Sequence, residues 1–410
     1  MRLFFYLTIM KHFFLIFLWG ILCCSCMDTL QNKFISEVQL CARDTIKFPI
    51  DENTFYESKV IFQFEEEGRE YLFFQNIDKG TPRILLFDIE NTNIFKTIPL
   101  YYEGPNGIPA IWGGWPLNLK EFIITTSTPN FYIIDDSGNI KFKSRRLYDK
   151  RAFRSEEFFK EHGLGAFCPT WIFSYLHNPA IINDSLFYFP QSQIGYPRKK
   201  ETWTKSNMFA CVNLHTGEMW PTQFCYPSIF NKDEITRMQS YSNDHSYAYT
   251  GKDVAVSFYK SDSIYVSSDF EHVKAYEAKS NFFPHLHPEP YDARTDMDAR
   301  LRRESLQPQY HSLLYDKYRR VFYRVALHPY EWPKGKSPMS GDDFGREFSI
   351  VILNEKYEVI GETRFPGHTY NYHLYFVGKK GLYISLNNLD NPIFNEDELM
   401  FQCFTFEDIK

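Results

Sequence analysis

The sequence predicts an all-β fold, namely a six-bladed β-propeller of four-stranded antiparallel blades with short helical insertions on one face. Aromatic residues are abundant, with 40 Phe, 28 Tyr and 7 Trp among 410 residues, and such side chains favour half-buried pleated surfaces. Short apolar runs separated by turn residues recur in groups of four, which is the pattern of a propeller. The last group lacks one strand, and one spare run precedes the first group. Closing a ring of blades explains both, because the spare strand then covers an otherwise unpaired edge.

Each predicted blade consists of four apolar runs with Gly, Asn, Asp or Ser between them. Residues 136–139, Asp-Ser-Gly-Asn, are typical of a hairpin turn. The six groups comprise 59–64, 70–75, 83–89 and 94–100; 108–112, 121–126, 130–135 and 140–145; a strand at or before 181, then 185–191, 208–214 and 218–224; 246–250, 253–259, 263–268 and 272–278; 311–315, 320–327, 347–353 and 357–365; and 370–377, 381–386 and 399–406. The spare run is 37–48. Two packed β-sandwiches would account for the number of strands but not for the spare and missing strands.

The first 25 residues have the pattern of a bacterial lipoprotein signal peptide. Arg2 and Lys11 supply positive charge, residues 13–22 form an apolar run, and the small residue Ser25 precedes Cys26. We therefore expect Cys26 to be the lipidated N-terminus of the mature protein. The apolar run is shorter than the roughly 20 residues that a membrane-spanning helix needs. An ordinary secretory signal peptide without lipid is the alternative.

The signal peptide divides the chain into three predicted segments and indicates where the protein works. The segments are a signal peptide at 1–25, a tether at 26–36 and a single propeller domain at 37–410, closed by its N-terminal strand in the last blade. Translation starting at Met10 would give a signal peptide of more ordinary length. The location expected is the cell envelope, where a lipid anchor would hold the protein in the periplasm or at the outer-membrane surface.

Charge and cysteine content narrow the class of partners. The net charge is -6 at pH 7, and basic runs such as 198–200 and 302–303 are too short to form an extended positive surface, so we expect no nucleic-acid partner. Five of the eight cysteines lie beyond Cys26, and their scattered spacing is not that of a disulfide framework. A bridge between Cys41 and Cys403 is possible if their strands are neighbours in suitable register.

One segment resembles a known propeller motif. Residues 102–108, Tyr-Glu-Gly-Pro-Asn-Gly-Ile, are similar to the Gly-x-Gly-Pro turn that leads into the inner strand of blades in NHL- and TolB-like six-bladed propellers, although Tyr102 replaces the first Gly. Together with the signal peptide, the chain resembles a domain-of-unknown-function group of propeller lipoproteins from Gram-negative anaerobes. The resemblance implies a six-bladed propeller over nearly all of the mature chain, and it provides no catalytic residues.

Most of the predicted long connections leave the same face of the blades. In an up-and-down blade, the loop between the second and third strands and the loop to the next blade leave the same edge, because strand direction alternates. Long loops on a rigid scaffold are where binding commonly occurs, although tolerated insertion is the alternative. Helices are predicted at 153–162 and 292–304. The long connections are 148–169, 194–207, 225–239, 279–308, 328–346 and 387–398.

Tryptophans in or beside these connections are the candidate ligand-binding residues: Trp112, Trp115, Trp171 and Trp332. Aromatic rings stack on sugars and apolar ligands, although packing between blades is an alternative role for each. A weak candidate metal site consists of His285, His287 and Glu289, whose alternating positions could face one side of an extended segment. Spacing identifies no further ligands to complete the site, so a solvated loop is the alternative, and we expect no metal or other cofactor.

These features favour an extracytoplasmic binding or interaction propeller with a protein or glycan ligand on the long-loop face. The chain after the signal peptide lacks a Gly-x-Ser-x-Gly elbow, a complete Gly-x-x-x-x-Gly-Lys-Ser/Thr phosphate-binding loop, a His-Glu-x-x-His helix and a Cys-x-x-Cys pair, so we expect the protein not to be an enzyme. The alternative is a carbohydrate-active hydrolase or lyase on the same scaffold, since fold does not determine function. Such an enzyme would need two acids facing each other across a cleft.

Overall fold

Antiparallel β-strands dominate the described part of the chain, where they form four separate four-stranded sheets and one eight-stranded sheet. The computed structural model describes residues 37–58, 60–77, 79–126, 131–144, 178–190, 207–231, 245–286, 296–338 and 345–408. The described residues from Glu37 onward belong to one compact unit. The arrangement is propeller-like, as expected.

Each four-stranded sheet contains four consecutive strands in sequence order. Sheet 1 consists of β2 (Ile61–Glu66), β3 (Arg69–Asn76), β4 (Arg83–Asp88) and β5 (Asn93–Pro99). Sheet 2 consists of β6 (Ile111–Pro116), β7 (Glu121–Thr126), β8 (Phe131–Asp135) and β9 (Ile140–Lys143). Sheet 3 consists of β10 (Ile181–Asn183), β11 (Leu186–Pro190), β12 (Phe209–Asn213) and β13 (Met219–Pro221). Sheet 4 consists of β14 (His245–Tyr249), β15 (Val254–Phe258), β16 (Ser263–Ser267) and β17 (Lys274–Glu277).

The remaining eight strands form one sheet, so the six separate sheets expected from the sequence are not what the structure shows. Its strands are β1 (Val38–Pro49), β18 (Gln309–Asp316), β19 (Val321–Leu327), β20 (Phe348–Asn354), β21 (Val359–Phe365), β22 (Asn371–Val377), β23 (Leu382–Ser385) and β24 (Glu398–Asp408). Their spatial order is β18-β19-β20-β21-β1-β24-β23-β22. β21 and β1 are joined by a single parallel pair, Val38 with Gly361.

The N-terminal strand β1 pairs with the C-terminal strand β24. The pairing is antiparallel and runs from Val38 opposite Asp408 to Pro49 opposite Glu398, with a bulge between Ala42 and Thr45. The spare run predicted at 37–48 to close the last blade therefore does pair with the last strand of the last group. Cys41 lies opposite Thr405, and both Cys41 and Cys403 are free thiols, so no bridge joins the strands.

Strand sequences reflect how deeply each strand lies within its sheet. The third strand of sheet 1, Arg-Ile-Leu-Leu-Phe-Asp, is buried on both faces, because neighbouring sheets cover it from both sides. The fourth strand, Asn-Ile-Phe-Lys-Thr-Ile-Pro, is mostly exposed at the outer edge. Apolar runs therefore mark the middle strands, and mixed sequences mark the outer strands.

Six hydrophobic clusters join successive groups of strands in a cycle. One cluster lies between each pair of consecutive four-stranded sheets, one between sheet 4 and β18–β21, one between β18–β21 and the β22–β24 group, and one between that group and sheet 1. At the last of these interfaces, Phe48 of β1 contacts the rings of Phe87 and Phe401, with centroids 5.2 and 6.2 Å away. Large aromatic side chains thus hold neighbouring sheets face to face.

A buried arginine joins sheet 4 to β19. Arg324 is completely buried, and its guanidinium donates to Ser257 Oγ at 2.8 Å and to the carbonyl oxygens of Ala278 and Ser261 at 2.7 and 2.5 Å. The guanidinium carbon lies 3.3 Å from the ring centroid of Tyr310. Burial lowers the pKa of Arg324 to about 10, which leaves it charged at neutral pH.

The helix predicted at 292–304 is present in shorter form. Helix α1 spans Met297–Ser305, and the carboxylate of Asp296 accepts from the amide of Ala299 as its N-cap. Residues 292–295 and the helix predicted at 153–162 lie outside the described residues. A short 3-10 helix spans Ser228–Asn231.

Candidate functional site

Long connections leave one edge of the sheets and short turns leave the other. Within each four-stranded sheet the neighbouring strands are antiparallel and in sequence order. The connections from second to third strand, and from fourth strand to the next group, therefore share an edge, here called the loop face. These include 144–180, 191–208, 222–244, 278–308, 328–347 and 386–397, whereas connections on the opposite edge, the turn face, span at most six residues.

Hydrogen bonds link the turns of successive groups on the turn face. Arg319, between β18 and β19, donates to the carbonyls of Gly378 and Lys379, between β22 and β23, at 2.7 and 2.9 Å. The amide of Lys379 donates to Glu70 at 2.8 Å, and the amide of Leu119 donates to a carboxylate oxygen of Glu66 at 2.5 Å. These hydrogen bonds connect neighbouring turns on the turn face, and the polar groups that form them have their partners within the protein.

First strands of neighbouring groups contact each other, which places them around the axis of the arrangement. Contacts join β14 with β18, β18 with β22, and β22 with β2. Trp112, on the first strand β6, is 40% exposed near the loop-face end. It is the extra residue of a β-bulge between the pairs Ile111–Thr126 and Gly113–Thr125, and bulges commonly redirect a side chain near binding sites.

Trp115 has a different environment, although it lies on the same strand. It is 2% exposed, packs in the cluster between sheets 2 and 3, and donates its indole N–H to the carbonyl oxygen of Asn178 at 2.8 Å. The side-chain oxygen of Asn178 accepts from Ser246 Oγ at 2.9 Å, and Ser246 Oγ accepts from the amide of Leu313 at 3.1 Å. This buried chain of bonds links the start of sheet 3 to β6, β14 and β18.

Two histidines come together between β18 and β22. Their ring centroids, in His311 and His373, are 5.3 Å apart, and Tyr372 contacts both rings. His311 is buried and its Nδ1 lies 2.7 Å from Ser312 Oγ, whereas His373 is exposed. The two imidazole groups therefore lie on β18 and β22, which are first strands near the axis of the arrangement.

A second aromatic surface is formed where the 278–308 and 328–347 connections meet. Phe282 and Phe283 contact the ring of His328, with centroids 5.6 and 5.2 Å apart. Phe282 is 48% exposed, and the Arg364 guanidinium lies 5.7 Å from its ring centroid. Burial, together with the charge of Arg364, lowers the pKa of His328 to about 4, so the imidazole is neutral at pH 7. Its Nε2 is buried without a hydrogen-bond partner among the described residues.

Trp332 lies on the same surface. It is half-buried and packs edge-on against Tyr330, whose amide donates to the carbonyl of Ser305 at 2.7 Å. The indole N–H of Trp332 is buried, and no acceptor lies within hydrogen-bond range in the described ranges. Further contacts join Ser337 to Asp298 in α1, at 2.5 Å. The two long connections therefore form a single surface, here called the rim surface.

The remaining candidates have less structural support. His285 is exposed and its Nδ1 lies 3.0 Å from Asp262 Oδ2, whereas His287, Glu289, Trp171 and Cys26 lie outside the described residues. Within the described ranges, no group of three or more His, Cys, Asp or Glu side chains could hold a metal ion. In the same ranges no helix is long and apolar enough to cross a membrane.

Acidic groups near the rim surface are engaged by neighbouring donors. Glu362 accepts from Ser280 Oγ and Ser349 Oγ, both at 2.6 Å, and from the amide of Asn281 at 2.7 Å; burial raises its pKa. Glu347 pairs with Arg364. These contacts give both carboxylates a structural role.

Sequence analysis identified Trp112 and Trp332 but missed the groups beside them. His328 was too isolated in sequence to be assigned, and Gln75, a buried residue of β3, was not singled out. The sequence feature that could have indicated Gln75 is its position, a polar residue directly after the buried apolar run Tyr-Leu-Phe-Phe. Such a residue must find a partner or remain unpaired in the interior.

Residues 37–364 match the family model described as a domain of unknown function, DUF4221. A crystal structure of a DUF4221 family member from Bacteroides vulgatus shares 37% identity, covers 91% of this chain and 99% of its own, and superposes with a TM-score of 0.82. Two other solved structures are far less similar. The Cps50 (Swd1) β-propeller domain of Myceliophteria thermophila has 9% identity, a TM-score of 0.39, and coverage of 90% of this chain and 100% of its own. BamB from Moraxella catarrhalis has 10% identity, a TM-score of 0.34, and coverage of 89% and 100%.

No curated protein matches the sequence. The family model spans most of the chain, and the crystal structure of the Bacteroides vulgatus protein matches both its sequence and its fold. On these grounds, the chain belongs to the DUF4221 family.

Proposed function

We propose that this protein is a membrane-anchored, extracytoplasmic binding propeller whose glycan ligand occupies the loop face. The observation that carries the proposal is the rim surface, where the exposed ring of Phe282 contacts His328, and where the buried His328 Nε2 and Trp332 Nε1 have no partner among the described residues. A sugar ring presents an apolar face and hydroxyl groups together. Aromatic rings with a few convergent polar groups suit such a ligand.

The proposed architecture is six blades, two of them joined in the eight-stranded sheet. β18–β21 would form the fifth blade, and β22–β24 with β1 the sixth. The single pair Val38–Gly361 is then an edge contact between blades. A Cβ on Gly361 would lie 2.1 Å from the carbonyl oxygen of Val38, so only glycine permits this approach. The cycle of six hydrophobic clusters supports the same count.

Anchoring rests on the signal sequence and on lipidation of Cys26. Several acyl chains on one residue would hold the domain at the periplasmic or outer-membrane surface, since each buried methylene contributes about 0.8 kcal/mol. Cys26→Ala should release the protein from the membrane fraction or block its processing. Membrane retention with an unchanged N-terminal mass would contradict the proposal.

Binding at the rim surface is tested with cellopentaose, maltopentaose and chitopentaose as probes, titrated calorimetrically into the purified domain. Phe282→Ala and Trp332→Ala should each weaken the binding of the best probe at least fivefold, since truncating a contact aromatic commonly costs more than 1 kcal/mol. Ile94→Ala is the matched control, because Ile94 is an exposed apolar residue on the outer strand β5. Equal affinities for all three variants would contradict the proposal, as would binding of none of the probes.

The same titrations separate binding from catalysis. A binding protein should leave each oligosaccharide intact on prolonged incubation, as judged by mass spectrometry. Steady release of shorter products, abolished by one carboxylate substitution, would support the hydrolase or lyase instead.

A further inference from the structure

The N-terminal strand β1 begins at the turn face. It pairs antiparallel with β24, so that Val38 lies opposite Asp408 and Pro49 lies opposite Glu398. Glu398 directly follows the 386–397 connection, which belongs to the loop face. The Val38 end of β1 is therefore at the turn face, and the chain enters the domain on the side opposite the long loops.

Charge is distributed unevenly over the turn face. The three turns of the eight-stranded sheet contain six basic and two acidic residues; they are 317–320, 355–358 and 378–381. The other turns on this face together contain two basic and eight acidic residues; they are 67–68, 89–92, 117–120, 136–139, 184–185, 214–218, 250–253 and 268–273. Because Val38 pairs with Gly361, just after the turn 355–358, β1 begins on the basic side.

Hydrogen bonds join two of the basic turns into one cluster. Arg319 donates to the carbonyl oxygens of Gly378 and Lys379 at 2.7 and 2.9 Å. The turn 317–320 is thereby held against the turn 378–381. Their basic residues, here called the basic cluster, are Lys317, Arg319, Arg320, Lys379 and Lys380.

Part of the charge of the basic cluster is not neutralised within the protein. Lys317 and Lys380 are exposed and form no ion pair with any described residue. Lys317 Nζ instead lies 5.0 Å from the ring centroid of Tyr318. Arg320 and Lys379 are exposed and form ion pairs with Glu355 and Glu65, and ion pairs of this kind are weak. The cluster can therefore bind an anionic surface.

We propose that the basic cluster binds the phosphate groups of anionic phospholipids and directs the loop face away from the membrane. This orientation rests on the proposed lipid anchor at Cys26. Twelve residues lead from Cys26 to Val38, and they span at most roughly 40 Å. An anchor of this length keeps the turn face close to the bilayer, where each basic residue adds to the attraction. The acidic turns would be repelled, so the contact is made through the side where β1 begins.

Lysine footprinting on the lipidated mature protein tests the orientation. The protein is added to preformed phosphatidylcholine vesicles with or without about 30% phosphatidylglycerol, and acetylation by a water-soluble reagent is followed by mass spectrometry. Lys317 and Lys380 should react at least about fivefold more slowly on the anionic vesicles, and high salt should restore their reactivity. Lys334 and Lys336 are exposed in the rim surface and serve as controls. They should change by less than about twofold, since they face away from the lipid.

Charge reversal provides the second readout. Replacing both lysines, Lys317→Glu with Lys380→Glu, should abolish the effect of anionic lipid on acetylation of Lys379. The matched pair Lys334→Glu with Lys336→Glu should leave that effect unchanged. Equal rates on both kinds of vesicle, or stronger protection of Lys334 and Lys336, would overturn the orientation. Flotation of the protein with neutral vesicles would then show that the anchor stands, whereas a protein that floats with neither kind of vesicle would refute the anchor and the orientation together.

Discussion

The indole N–H of Trp115 donates to the carbonyl oxygen of Asn178 at 2.8 Å, and both residues are buried. This bond fixes the segment before β10 against the first strand of sheet 2. Trp112, three residues earlier, is exposed at the loop-face end of the same strand. Two tryptophans that look equivalent in sequence therefore have different environments, one buried and hydrogen-bonded and one partly exposed.

Trp115→Phe should lower the free energy of unfolding by about 1–3 kcal/mol, because it leaves a buried carbonyl without its donor. Trp112→Phe should change it by no more than about 0.5 kcal/mol, as expected at an exposed position. Urea denaturation followed by circular dichroism measures both. Equal effects of the two substitutions would contradict the assigned roles.

Packing of β1 against its neighbours should be essential for stability. Phe48→Ala should cost about 3–5 kcal/mol, because the ring is completely buried between Phe87 and Phe401. Thr45→Ala, exposed on the same strand, is the control and should stay within about 0.5 kcal/mol. A small effect of Phe48→Ala in thermal and chemical denaturation would show that β1 does not hold the ends of the chain together.

Removing the Arg324 guanidinium should be strongly destabilising. Arg324→Met keeps a long apolar side chain but leaves the carbonyls of Ala278 and Ser261 without donors, so we expect a loss of about 3 kcal/mol or more. Arg320→Met removes a largely exposed ion pair with Glu355 and should leave the unfolding midpoint close to that of the native protein. Similar midpoints for the two variants would argue against the interior role of Arg324.

Acidification should destabilise the protein through His328. Its folded pKa of about 4 lies below the ordinary value of 6.5. Between these two pH values the unfolded chain binds more protons, so stability present above pH 6.5 is lost as the pH falls toward 4. The contribution is on the order of 3 kcal/mol.

His328→Phe should reduce the pH dependence of the unfolding free energy in this window, by up to about 1.4 kcal/mol per pH unit. His272→Phe is the control, because His272 is exposed and its pKa is raised by Asp269. An unchanged slope in His328→Phe would show that the imidazole titrates normally in the folded protein.

Periodicity and turn residues were sufficient to predict most strands, because the middle strands are buried on both faces and read as apolar runs. The first strand of sheet 2 was predicted at 108–112 but spans Ile111–Pro116. Glycine is depleted in strands, but in the structure Gly114 lies within this strand, where the absence of a Cβ permits close approach to the carbonyl oxygen of Ile123. Local composition cannot distinguish a glycine within a strand from one that ends it.

The candidate site was predictable only in part. Loop lengths predicted the long-loop face, and exposed aromatics such as Trp112 were visible as candidates. The partners of His328 and Gln75 come from distant strands, and whether a buried polar atom is paired depends on tertiary contacts. The number of separate sheets was also missed, since the edge contact between Val38 and Gly361 has no local signal.

The most direct test of the proposal that the ligand binds at the loop face compares two tryptophans of similar exposure. Trp112 is 40% exposed on the first strand β6, and Trp220 is 38% exposed on the outer strand β13. The affinities of Trp112→Ala and Trp220→Ala for the best of the three pentasaccharides are to be measured by calorimetry. The account predicts at least tenfold weaker binding for Trp112→Ala, equivalent to about 1.4 kcal/mol, and native affinity within twofold for Trp220→Ala. Equal affinities, or greater loss in Trp220→Ala, would contradict it.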